Sequence, residues 1–258
     1  MMASITGGLA SYEEQLEPAR ARFDKSYGIT KLMSNATPPE LVELFLIQYC
    51  SLGVSMTEPV EGWIRRAGVR CLEVGVRELG EALVCHAKHE AGHHMMMIRD
   101  TRSLVARWNA ARAPALDAET FLLAPRPSGV ERYVELHERT IAGDKPFGQI
   151  AIEYEIELMS IRVGPPFIGQ CVNKLGPDIT RCLSFVEDHV ELDVGHTKLN
   201  LRQLGNLLER HPDFLDTLVA TGKAALEVYA QFMEDCMRRA EAVLSGLSEP
   251  SSAAHGQA

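Results

Sequence analysis

Two words in this chain combine imidazoles and a carboxylate at one spacing. His86, Glu90 and His93 lie in AKHEAGHHMMM, and His189, Asp193 and His196 lie in EDHVELDVGHTKLN, both at i, i+4 and i+7. On a helix turning about 100° per residue, three such side chains fall within roughly 60° of arc. Imidazole nitrogen and carboxylate oxygen together suit iron, manganese or zinc. Two such triplets therefore read as halves of one metal site.

The second triplet has Leu183, Val186, Val190 and Val194 around it, which implies burial. Two imidazoles and a carboxylate buried with neither a metal nor mutual hydrogen bonds would be costly. The first triplet is more crowded, with His86, His89, Glu90, His93 and His94 inside nine positions. His94 points about 100° away from His93. His86 is on the ligand face, as a ligand or as the group that orients one. A bridging carboxylate should come from a third helix, where Glu153, Glu155 and Glu157 are candidates. In a helix Glu153 and Glu157 share a face and Glu155 points elsewhere.

His89-Glu90-Ala91-Gly92-His93 also spells HExxH, the zinc-protease word. The extended form needs a histidine six residues on, where this chain has Arg99. That reading also leaves the second triplet unexplained.

The elements that must carry these residues read as helices. ELVELFLIQYC, from Glu40, follows the TPP start signal at Thr37–Pro39. A long helical pattern runs from about Pro59 to the tryptophan at 108, with Gly68, Gly75, Gly80 and Gly92 marking breaks or close packing. Further helices are expected near Val130–Ala142, over IAIEYEIELMSIRV, over FIGQCVNKLG beyond a GPP break at Gly164–Pro166, from an Asp178 cap, and over Asp213–Leu244. IAIEYEIE also alternates like a strand, but no second alternating run offers it a partner. The expectation is one all-α domain over 1–248, with a flexible start at 1–10 and a disordered polar tail at 249–258.

Composition narrows the function. Of 258 residues, 46% are hydrophobic and 24% charged, as in ordinary globular proteins. The net charge of −9 argues against nucleic acid or an anionic membrane surface as partner. No apolar run of membrane-spanning length and no signal-peptide pattern is present. Six scattered cysteines without a CxxC pair fit a reduced, cytoplasmic setting and not a cysteine-ligated metal.

The residues resemble the heme-oxygenase-like diiron oxidases and oxygenases, the iron-containing redox enzymes, from about Glu40 to Leu208. The family's helix word H-x-x-E-E-x-G-H is written here His86-Ala-Lys-His89-Glu90-Ala-Gly92-His93, with His89 in place of the first glutamate. Y-x-x-E is matched by Tyr154 and Glu157, and H-x-x-x-D-x-x-H by His189, Asp193 and His196. The resemblance implies a heme-oxygenase-like helical bundle with metal ligands Glu58, Glu90, His93, Glu157, His189, Asp193 and His196. Glu58 stands for the glutamate that the family draws from an earlier helix, with Glu61 its rival one turn later. His86 and Tyr154 would then sit behind the ligands. It further implies two Fe(II) ions per chain, O₂ as co-substrate and a homodimer. The reaction would be oxidation of a small amino-acid-like or fatty-acid-like molecule in a biosynthetic pathway.

For a carboxylate-bearing substrate, Arg65, Arg66, Arg70, Arg77 and Arg162 are all conceivable anchors and none is singled out. The runner-up is a metal-independent thiaminase-like hydrolase on the same fold, which needs a cavity cysteine such as Cys85 or Cys182. A heme oxygenase with one axial histidine and a non-catalytic helical binding protein complete the alternatives.

Overall fold

The computed structural model describes residues 7–248, all of whose regular elements are helical. The expected polar tail lies outside these residues, whereas residues 7–10, expected to be flexible, begin a helix. No described helix is long and apolar enough to cross a membrane. The segment IAIEYEIE is helical, as the missing strand partner required.

At the centre is α3 (Pro39–Thr57, after α1 Gly7–Asp24 and α2 Tyr27–Leu32), buried on nearly every side from Leu41 to Gly53. Its apolar run has no polar face to turn outward, so it must be enclosed. The helix pattern after Pro59 does not continue unbroken. It becomes α4 (Val60–Glu73), α5 (Arg77–His86), a short 3₁₀ turn at Ala87–His89, and α6 (His94–Ala111). The four glycines divide between two roles. Gly75 and Gly92 have φ of +84° and +86°, which ends a right-handed helix. Gly68 and Gly80 let α4 and α5 cross closely, since a Cβ on either would lie 2.8 Å from the other's carbonyl oxygen.

After α7 (Ala118–Leu122) and α8 (Ser128–Ala142) comes α9 (Gln149–Leu175), which runs straight through Gly164-Pro165-Pro166. The expected break is absent because packing overrides the lost proline hydrogen bonds. A Cβ at Gly164 would lie 2.3 Å from Val190 of α10 (Ser184–Arg210), so the missing side chain admits its neighbour. The last described helix is α11 (Leu215–Ser248), packed on α1, α2, α3, α8 and α9.

The start of α10 is capped from another helix and not by Asp178, which lies in a 3₁₀ segment at Pro177–Cys182. Buried Asp100 of α6 accepts from the Phe185 amide at 2.9 Å and the Ser184 hydroxyl at 2.7 Å. A carboxylate at a helix N-terminus satisfies amides that have no partner within the helix. That clamp sets the second histidine word of the sequence against the first.

Candidate metal centre

Convergence, and not a shared helix, brings the first triplet together. His86 ends α5, Glu90 follows the 3₁₀ turn, and His93 precedes α6. The one-face helix expected for them is therefore corrected, because Gly92 turns the backbone between Glu90 and His93.

Glu90 occupies the middle. Its Oε1 lies 3.8 Å from His86 Nε2 and 3.5 Å from His196 Nδ1, while its Oε2 lies 3.1 Å from His93 Nδ1. Glu157 of α9 places Oε1 3.2 Å from His86 Nε2 and 3.8 Å from His196 Nδ1. Ligand atoms of His86, Glu90, Glu157 and His196 all lie within 4.8 Å of one another, and so do those of Glu90, His93 and His189. One carboxylate thus faces two groups, one oxygen to each. The buried ring nitrogens of His86, and Nδ1 of His196, have no aligned hydrogen-bond partner among the described residues. Such atoms are costly to leave bare, and a cation is the partner their neighbours suit.

Neighbouring side chains hold the ligands. His189 donates Nδ1–H to the Phe185 carbonyl at 2.7 Å, which leaves Nε2 free. Asn200 donates to Glu157 Oε2 at 2.5 Å. Asp193, 3% exposed, sits 3.4 Å from His196 Nδ1 and lines the adjoining cavity. Asn200 was missed from the sequence, although it continues the His189, Asp193 and His196 stripe by a further turn on α10. Of the flanking apolar residues, Leu183 and Val186 are buried, but Val194 is exposed.

Three expectations are corrected. Glu58 is exposed at the end of α3 and belongs to neither group. Tyr49, Gly53, Met56 and Thr57 of α3 line the cavity, whereas Glu58, at the helix end about 200° around from Met56, does not. Its rival Glu61 pairs with Arg65 at the surface. Tyr154 does not stand behind the ligands. It lies about 100° around α9 from Glu153, against Tyr12 and Glu13 of α1. His86, expected behind the ligands, is inside the inner group itself.

Glu153 shares the face of Glu157 and is buried beside it, accepting from Gln149 at 2.5 Å. Gln149 also reaches His137, whose ring stacks on Trp63 at 4.1 Å. Glu155 points away, to Arg20 and Tyr12.

Burial, and then the charge of Glu157, pushes Glu153 up to about 8. Burial and then Asp193 hold Glu157 well above the usual carboxylate range. Glu90 also suffers burial, but the hydrogen bond from His93 and the nearby imidazoles hold it low. His93 and His196 are raised by Glu90 and Asp193 respectively, while burial lowers His86 and takes His137 to about 3.

Groups whose folded pKa is raised contribute stability that is lost as pH rises toward that pKa. Glu153 acts in this sense up to about 8, Glu157 from the usual carboxylate range upward, and His93 and His196 above 6.5. His86 and His137 oppose them mainly below 6.5. Metal-free protein is therefore expected to melt at a lower temperature at pH 8 than at pH 6.5. Glu153 alone contributes about 1.4 kcal/mol per pH unit. Glu153→Gln should flatten that slope, and Mn(II) at pH 8 should restore stability, because metal takes the deprotonated ligands. Thermal scans showing a flat or rising profile for the metal-free protein would contradict this linkage.

The cavity beside the carboxylates has a volume of about 130 Å³. Its walls include Met56, Val60, Met97, Met159, Val163 and Phe167, and among the described residues no lysine, arginine or cysteine lines it. The five candidate arginines are engaged elsewhere, with Glu61, Glu138, Glu73, Glu81 and Asp24. Cys85 is exposed and Cys182 is buried away from the cavity. His93 belongs with Glu90 and His189 while His89 is in neither of the groups that contain Glu90, so the two histidines of the HExxH word are not brought together at one position.

No protein-family model and no curated protein sequence matches the chain. Among solved structures it is similar to a domain of unknown function with a heme oxygenase-like fold from Shewanella denitrificans. The TM-score is 0.70 at 16% identity, over 96% of this chain and 100% of that one. At this identity the likeness shows the fold: an all-α bundle of heme-oxygenase-like architecture, here with a buried His/Glu cluster able to hold metal.

Proposed function

We propose that the chain is an O₂-dependent oxidase or oxygenase of a small, largely apolar molecule, holding two Fe(II) ions among His86, Glu90, His93, Glu157, His189, Asp193 and His196. The observation that carries this is Glu90, whose two oxygens face separate histidine groups at the wall of an apolar cavity. The donors fit iron: mixed nitrogen and oxygen, three carboxylates to offset the charge of the ions, and buried nitrogens lacking partners. When bound, the iron pair supplies the redox chemistry that no side chain can.

The chain's own residues do the rest. Asn200 orients Glu157, and the Phe185 carbonyl fixes the His189 tautomer. Of the two substrate classes expected, the fatty-acid-like one fits better. Among the described residues no lysine or arginine lines the cavity to pair with a substrate carboxylate, so affinity comes mainly from burying hydrocarbon against methionine, valine and phenylalanine. The same walls exclude water from the reacting end. Burial pushes Glu153 up to about 8, which favours its neutral form near pH 7 and makes it the candidate proton donor at the cavity wall, its Oε1 already accepting from Gln149.

Anaerobic titration with Fe(II), followed by O₂ addition in a sealed electrode, tests the reading. Two irons per chain and O₂ uptake exceeding the iron added, in the presence of long-chain aliphatic acids or amines and a reductant, are expected. Fewer than one iron per chain, or uptake unaffected by Glu90→Gln, would rule it out.

A further inference from the structure

We infer that His86, His89 and His196 form an all-nitrogen metal position at the mouth of the site, taking a late first-row divalent ion such as Zn(II) in place of the ion held by Glu90 and Glu157. The inference rests on the two-iron proposal only in treating His86 and His196 as metal-facing.

The three imidazoles come from separate backbone positions that meet. His86 ends α5, His89 sits on the exposed 3₁₀ turn, and His196 projects from α10. Their ligand nitrogens lie within 4.8 Å of one another. The His89 ring lies 5.7 Å from that of His196, nearly parallel at 19°, and 6.2 Å from that of His86. Three nitrogens bound at about 2.0–2.1 Å to a tetrahedral ion would stand roughly 3.4 Å apart. Closing that gap takes a movement on the order of 1 Å, available to an exposed side chain on a short turn. A second observation points to a ligand. His86 is 2% exposed, yet neither of its ring nitrogens has an aligned partner among the described residues.

His86 and His196 also complete the group with Glu90 and Glu157, so the two positions cannot be filled together. Their donors differ in kind. Two imidazoles with two carboxylates suit iron or manganese, whereas three imidazoles with an open fourth position suit zinc, copper or nickel. His89 thus gives excess zinc a route to draw two imidazoles out of the iron-type site. It also makes the ion taken up depend on one exposed side chain.

The test uses metal-free full-length protein and its His89→Ala variant. Zn(II) affinity is read against a chromophoric chelator, Mn(II) affinity by electron paramagnetic resonance, and Co(II) serves as a visible probe of coordination. Zn(II) binding should weaken at least tenfold in His89→Ala with Mn(II) affinity within twofold of wild type. The wild type should show intense tetrahedral Co(II) absorption that the variant lacks, and Zn(II) should displace one of the two Mn(II) ions from the fully loaded wild type. Unchanged Zn(II) affinity in His89→Ala, or Zn(II) uptake that releases no Mn(II) from the fully manganese-loaded wild type, would overturn the inference while leaving the two-iron reading in place. Wild type that binds Zn(II) through His89 but no Mn(II) or Fe(II) would sustain the inference and defeat that reading.

Discussion

Replacing Glu157 with glutamine is expected to weaken Mn(II) or Fe(II) binding more than a hundredfold, about 2.8 kcal/mol, without lowering the melting temperature of the metal-free protein. Both halves follow from one geometry. Glu157 Oε1 stands beside the unpartnered nitrogens of His86 and His196, where an ion would replace the missing hydrogen bonds. Losing a group that merely orients a ligand costs 10–100-fold in affinity, and losing the ligand's own charge costs more. In the metal-free state the same carboxylate is a burden. It is buried, near Asp193, and held well above the ordinary carboxylate range. A neutral amide of equal size relieves that cost and can still accept from Asn200. Glu58→Gln is the control. Exposed at the end of α3, Glu58 should leave affinity unchanged. Calorimetric titration showing equal losses for the two variants would return Glu58 to the site and refute a centre built around Glu90 and Glu157.

A comparably large effect, on stability alone, is expected at Glu155. Arg20 of α1 donates to it twice, Nε to Oε2 at 2.8 Å and Nη2 to Oε1 at 2.7 Å, and Tyr12 adds a third bond at 3.0 Å. Arg20 and Glu155 are both buried. Glu155→Ala strands a guanidinium that keeps only the partly exposed Glu13, and it leaves the Tyr12 hydroxyl without its acceptor. The expected loss is roughly 3–5 kcal/mol, a large share of the ~5–15 kcal/mol by which most domains are stable. Replacing the pair together, Arg20→Met with Glu155→Leu, should recover most of it, because no buried charge then remains. Denaturant midpoints within about 1 kcal/mol of wild type for Glu155→Ala would show that α1 is not anchored through this pair. Metal affinity should be unchanged, since Glu155 faces away from the centre.

These two glutamates, two residues apart on α9, mark how much could be read in advance. Helical periodicity separates Glu155 from the Glu153 and Glu157 face, and the structure keeps them apart as periodicity requires. The same rule groups His189, Asp193 and His196 on α10, with Asn200 one turn further along the stripe. Within a helix, azimuth is a property of spacing, so these relations were legible from residue types alone. The enclosed α3 was legible for a similar reason, since an apolar run without a polar face has nowhere to go but inward.

Relations between elements were not. Spacing says how residues stand around one axis, but not how that axis is rotated against its neighbours. Glu58 and Met56 are equally plausible on α3 until packing turns Met56 inward, and Tyr154 is one turn from Glu157 yet belongs to the seam with α1. The first triplet satisfied helical spacing and is not helical there. Gly92 takes a positive φ, the chain turns, and convergence in space brings His86, Glu90 and His93 together. That turn also carries His89 to the rim, next to His86 and His196. Local pattern thus determined which residues could serve as ligands. Which of them meet was decided by the docking of α5, α6, α9 and α10, because only long-range burial and the Asp100 clamp fix the angles between helices.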